Sequence, residues 1–120
     1  MKIGVWALLW AAETDWLEAN DRGLEAYRGG KLAIAEAAFK AASNIAKEQE
    51  WRAQSLNNLG AVYYQRGEYD AAERSYREAV EAWGTPRHAG TLYGSCLVNL
   101  AVLLRQTGRL DEQHRQIHQA

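Results

Sequence analysis

One pattern recurs along this chain and limits what it can fold into: a small residue, then a glycine turn, then an alanine and an aromatic one helical turn apart. The clearest copy runs from about 53 to 86. There Leu59-Gly60 is followed by Tyr63-Tyr64, by the turn Arg66-Gly67-Glu68-Tyr69, and by Ala72, Tyr76 and Ala79. An earlier copy stands 37 residues before it, with Gly23, Tyr27, Gly29-Gly30, Leu32, Ala35, Phe39 and Ala42. A later one stands 41 residues after it, with Leu100-Ala101, Leu104, Gly108, Leu110 and Asp111. Self-similarity at such a period marks a repeat protein, in which each unit buries its apolar face only by stacking on the next.

Each slot has a physical task in a helical hairpin. Gly23, Gly60 and Ala101 are expected to let two helices approach closely, with Ala35 and Ala72 facing them from the second helix. Gly30, Gly67 and Gly108 suit the left-handed position that ends a first helix, where a Cβ would be strained. Phe39 and Tyr76 are expected to fill the space between one pair and the next.

These residues resemble the tetratricopeptide repeat family over roughly 16 to 118, most closely in the middle copy. The third copy, with its longer offset and the run Val98-Asn99-Leu100-Ala101-Val102-Leu103-Leu104, is similar to the longer-period subtype seen in kinesin light chains and many bacterial repeat proteins. The resemblance implies an all-α fold: a right-handed superhelical stack of about three antiparallel helix pairs. The repeats fall at about 16–49, 53–86 and 87–120, within a domain over 14–120 that follows an apolar segment over 1–13. Helices are expected at about 14–28, 31–49, 51–66, 69–83, 86–107 and 109–118. Thr85 is the expected N-cap of the fifth, with Pro86 at its first position. The last helix is polar, with Gln113 where the family has Ala, as in a solvent-facing cap or at a cut through a longer array.

Composition agrees. The 120 residues suffice for one domain, 48% are apolar, 24% are charged, and a single Pro leaves long helices uninterrupted. The formal net charge of −1 provides no excess of cations for nucleic-acid phosphates. Cys96 has no second cysteine to pair with, so it reads as a core residue. The start, Met1-Lys2 followed by apolar residues to Ala12, reads either as a short export signal or as an apolar helix packed on the first repeat. The location, cytoplasmic or exported, stays open with it. About ten apolar residues are too few to span a bilayer. Trp6 and Trp10 lie one turn apart beside Trp16, and this edge is expected to pack on the first repeat, or else to meet a second copy of the chain or a membrane interface.

The resemblance also implies where a partner sits, since the first helices of successive pairs line a concave wall. The middle repeat places Gln54, Asn57, Asn58, Ala61, Tyr64 and Gln65 on it. The first places Leu17, Asn20, Leu24, Tyr27 and Arg28 there, and the third Ser95, Val98, Asn99, Val102, Arg105 and Gln106. An Asn amide both donates to and accepts from a peptide backbone, so Asn20, Asn57, Asn58 and Asn99, with Tyr64, are the expected anchors, the alternative for any single Asn being that it satisfies an interhelical carbonyl. The family's carboxylate clamp for acidic chaperone tails needs Lys and Arg beside two Asn. Asn58 occupies one clamp position, but Asn20, Leu24, Ser95 and Asn99 occupy the others, so that function is not expected.

No phosphate loop, paired-Cys motif or nucleophile–base set is present, so the chain is not expected to be an enzyme or to need a cofactor. His114 and His118 stand four apart, but with His88 distant in sequence they read as surface residues rather than metal ligands. The expected function is a protein-interaction scaffold that holds an extended peptide or helix of a partner protein in its groove. The alternative is a structural repeat fragment, or a self-associating part of a larger assembly.

Overall fold

A computed structural model describes the backbone of residues 5–84 and 91–108, and the side chains of 14–84 and 94–108. Among the described residues there are five helices and no strand: α1 (Val5–Arg28), α2 (Leu32–Ile45), α3 (Gln49–Gln65), α4 (Tyr69–Trp83) and α5 (Thr91–Gln106). Each packs on the next in chain order, and α1 touches α3 as α3 touches α5. This is the stack of helix pairs expected of a tetratricopeptide-like α-solenoid. The expected sixth helix, the Thr85-Pro86 cap and all three histidines lie outside the described residues.

The boundaries differ from expectation in two places. The first helix begins at Val5 rather than near 14, so most of the apolar segment and the first repeat helix are one continuous element. No Gly or Pro between Val5 and Arg22 interrupts it, and its alanines favour helix. The side chains of Trp6 and Trp10 lie outside the described residues. The second helix stops at Ile45 rather than 49, because Ala46 is extended (φ −61°, ψ 122°) and α3 already starts at Gln49.

The hairpin turns are built as the glycines predict. Gly67 has φ +75°, its N–H donates to the Tyr64 carbonyl at 3.0 Å, and the Glu68 N–H donates to that of Tyr63 at 2.9 Å. Gly30 has φ +73°, with Gly30 N–H on Tyr27 at 3.1 Å and Lys31 N–H on Ala26 at 2.8 Å. The same pair of bonds thus closes both first helices and satisfies carbonyls that a helix end leaves orphaned.

Packing inside each hairpin is closer than the expectation that alanines face the glycines. A Cβ built on Gly23 would stand 2.5 Å from Cε1 of Phe39, and one on Gly60 would stand 2.5 Å from Cε1 of Tyr76. The glycine therefore makes room for the aromatic ring of its own hairpin. Phe39 at the same time belongs to a buried cluster with Ala53, Leu56, Leu59 and Val62 of α3, so it joins the first pair to the second. Ala101, the third small residue, is exposed.

Two further contacts lock neighbouring pairs. Arg66, in the turn after α3, donates to both carboxylate oxygens of Glu36 on α2 at 2.7 and 3.1 Å and to Glu68 at 3.0 Å, with its guanidinium 5.5 Å from the Tyr63 ring centroid. Its hydrogen bond holds the Glu36 carboxyl below its ordinary value of 4.5. Trp83 of α4 and Cys96 of α5 are buried in the core that joins the second pair to the third. Burial pushes the Cys96 thiol up, and the Trp83 indole partly opposes that rise.

Candidate partner-binding groove

The wall formed by α1, α3 and α5 is laced by its own amides. Asn58 donates through Nδ2 to Oδ1 of Asn20 at 3.3 Å, and Asn99 donates through Nδ2 to Oδ1 of Asn57 at 3.1 Å. The two bonds are one device used twice. Asn20 and Asn57 hold equivalent places 37 residues apart, Asn58 and Asn99 hold the next place 41 residues apart, and in each case the later repeat donates to the earlier one. Adjacent residues point about 100° apart around a helix, so on α3 Asn58 faces back to α1 while Asn57 faces on to α5.

The Asn20 end runs deeper. Trp16 donates through Nε1 to Ser55 Oγ at 2.8 Å, and Ser55 Oγ donates to Asn20 Oδ1 at 3.0 Å, so that oxygen accepts twice. Asn20 is 1% exposed and Ser55 is fully buried. The Trp16 ring also stacks on Trp51 of α3, centroids 5.4 Å apart and 14° from parallel. The carbonyl oxygen of Asn20, one of the expected anchors, is thus engaged between α1 and α3. Asn57, Asn58 and Asn99 are half-buried and each has one amide atom engaged in the wall.

Beside this ladder the wall opens into a recess of about 260 Å³. Tyr27 of α1 lies on one side and Asn99 and Val102 of α5 on the other. Its middle is Ala61, Tyr64 and Gln65 of α3, with Tyr76 of α4 beneath. No lining residue carries a charge. Tyr64 Oη donates to Gln106 Oε1, tying α3 to α5 at the edge of the recess. Burial, with lesser effects from Tyr27 and Tyr64, pushes the Tyr76 phenol up to about 12. It is therefore a neutral hydroxyl at physiological pH.

Of the expected wall residues, Tyr27, Ala61, Tyr64, Gln65, Asn99 and Val102 are brought together here. The others are not in its lining, and Gln106 meets it only at the edge through Tyr64. Leu24 is packed against the core, Gln54 is half-buried, Val98 is 60% exposed, and Arg105 is exposed. Tyr76 was expected only as core. Its signal was present, since the equivalent residue of the first repeat is Phe39, and a hydroxyl in an otherwise apolar slot calls for a polar surface to meet. Ser55 carries a weaker signal of the same kind, as a small hydroxyl among Ala53, Leu56 and Leu59.

Comparison with known proteins agrees with this architecture. The family model described as tetratricopeptide repeat matches residues 19–85 and 51–112. Among curated proteins, photosystem I assembly protein Ycf3 of Synechococcus sp. (strain CC9605) is 29% identical over 91 residues, which is 76% of this chain and 49% of that protein. The chain spans about half the length of that curated relative. No solved structure matches. Among the described residues, no helix is long and apolar enough to cross a membrane.

Proposed function

We propose that this chain, which belongs to the tetratricopeptide repeat family, is a protein-interaction scaffold that holds an extended segment or helix of a partner protein against the wall of α1, α3 and α5. The observation that carries the reading is the recess, which gathers groove residues from three successive first helices over a wall fixed in advance by the Asn20–Asn58 and Asn57–Asn99 bonds. A wall ordered before the partner arrives loses little further entropy on binding, so more of the contact energy appears as affinity. The role is one of holding, not of catalysis. The assembly role that the name of the Synechococcus relative states is of the same class.

In the alternative reading the stack is part of a larger assembly. Leu97, Val98 and Val102 support it, being large apolar residues at 40%, 60% and 45% exposure on the single helix α5. Exposed apolar patches of that kind mark protein contact surfaces.

A random-peptide display library panned on the full chain, with counter-selection on a Gln65→Arg/Val102→Asp variant, tests the groove. Both positions are exposed, so the variant should fold. Peptides that bind the unaltered chain and not the variant support the groove reading. Peptides that bind both equally, or none at all, reject it. Concentration-dependent association in sedimentation, abolished by Val98→Asp, then supports the assembly reading.

A further inference from the structure

We infer that the recess between Tyr27, Tyr64, Tyr76 and Val102 is an anchor pocket for one uncharged aromatic side chain of the partner, an inference that rests on the groove reading above.

Size is the first argument. At about 260 Å³ the recess falls below the range of roughly 300–1,000 Å³ that holds a drug-sized molecule, and so is suited to a single side chain. Charge is the second. Its lining is tyrosine, amide and aliphatic, with no cation or anion to pair an incoming charge, and Tyr76 stays neutral. Desolvating a carboxylate or ammonium there would go uncompensated, so acidic and basic anchors are selected against. Shape and chemistry supply the third. Three phenol rings approach from α1, α3 and α4, and the amides of Gln65 and Asn99 stand with them in the same lining. A ring with an apolar body and a polar tip meets both kinds of surface, as Trp and Tyr do at interfaces generally. An aliphatic side chain offers no hydrogen bond to the Gln65 amide or to Oδ1 of Asn99, whose Nδ2 is held by Asn57.

The pocket also differs from the equivalent place one repeat earlier. There Phe39 holds the place of Tyr76, and both are buried (1% and 4% exposed), so the second repeat carries a phenol where the first carries a phenyl ring, and that tyrosine is in the lining of the recess.

The test is a titration of the full ¹⁵N-labelled chain with capped pentapeptides Ac-Ser-Gly-X-Gly-Ser-NH₂, where X is Trp, Tyr, Leu, Asp or Lys. The Trp and Tyr peptides are expected to shift the amide signals of Ala61, Gln65 and Val102. They should bind about five-fold tighter than the Leu peptide, the scale of an aromatic contact beyond area burial, while Asp and Lys produce no shift. Val102→Phe, which adds a ring at an exposed position on the recess edge, should abolish the shifts while leaving the helical signal and unfolding midpoint unaltered. Ala61→Leu fills the recess from α3 and should do the same if the first variant unfolds. Equal binding of the Asp or Lys peptide, shifts mapping elsewhere, retention of binding in both variants, or no binding by any peptide overturns the inference. The panning experiment separates this from the groove reading. Selected groove peptides that lack any aromatic residue sink the anchor pocket alone, whereas failure to select groove peptides sinks both.

Discussion

Asn99 on α5 donates its side-chain amide to Oδ1 of Asn57 on α3 at 3.1 Å, so an Asn that looks free on the wall of one repeat is already spoken for by the next. The same bond from Asn58 to Asn20 makes the pair of contacts a coupling between repeats, and its energy is measurable. In chemical denaturation, Asn57→Ala and Asn99→Ala should each destabilise the chain. A double-mutant cycle should return a coupling of about 0.5–1.5 kcal/mol, the net value of a hydrogen bond between neutral groups. Additive effects would show that the two side chains stabilise the stack independently.

Asn20 should be the more sensitive position, because its oxygen accepts from both Ser55 and Asn58 in a buried site. Asn20→Ala leaves two donors without their acceptor, and a loss of about 1–3 kcal/mol is expected. Partner binding should survive wherever the folded fraction is restored by lower temperature or by an added osmolyte. If affinity instead falls while stability is unaltered, Asn20 acts on the partner directly.

Close packing at Gly60 yields a third expectation. Gly60→Ala puts a methyl group 2.5 Å from Cε1 of Tyr76, so the ring must move or the hairpin must open. Overpacking of that kind costs about 1–3 kcal/mol, and Gly23→Ala should behave alike against Phe39. Smaller side chains opposite, as in Gly60→Ala/Tyr76→Leu, should recover part of the loss. A thermal midpoint for Gly60→Ala equal to that of the unaltered chain would mean that the ring moves freely.

The Glu36–Arg66 pair links α2 to the turn after α3 and makes stability depend on acid. The folded-state carboxyl lies below its ordinary value of 4.5, so its contribution is present above that pH and is lost as the pH falls through the lower folded value. Denaturation midpoints of the unaltered chain should therefore fall more steeply below about pH 4.5 than those of Glu36→Gln, which already lacks the charge. Parallel curves for the two chains would assign the acid sensitivity to other carboxylates.

Tyr76 gives the opposite limb. Its folded value of about 12 lies above the ordinary 10, so its contribution is full below pH 10 and is lost as the pH rises towards 12. Ultraviolet titration should show one phenol ionising near 12 together with alkaline unfolding, and Tyr76→Phe should remove that component.

The sequence by itself determined the repeat. Glycines with positive φ at 30, 67 and 108 were legible because they follow from local conformational preference, and the family resemblance supplied the wall of α1, α3 and α5. The approach of Gly23 to Phe39 and of Gly60 to Tyr76 was not, since alanines were expected opposite those glycines. Nor was the state of the wall's side chains. Whether Asn20 is an anchor or a strut depends on the few tenths of an ångström that bring Ser55 and Asn58 to 3.0 and 3.3 Å of it, a lateral distance between helices nearly forty residues apart. The recess was hidden for the same reason, since it exists only where α1, α3, α4 and α5 meet. Local pattern chooses the elements and their faces, but a buried hydrogen bond or a cavity belongs to the space between elements, and only the packed stack decides which amides remain for a partner.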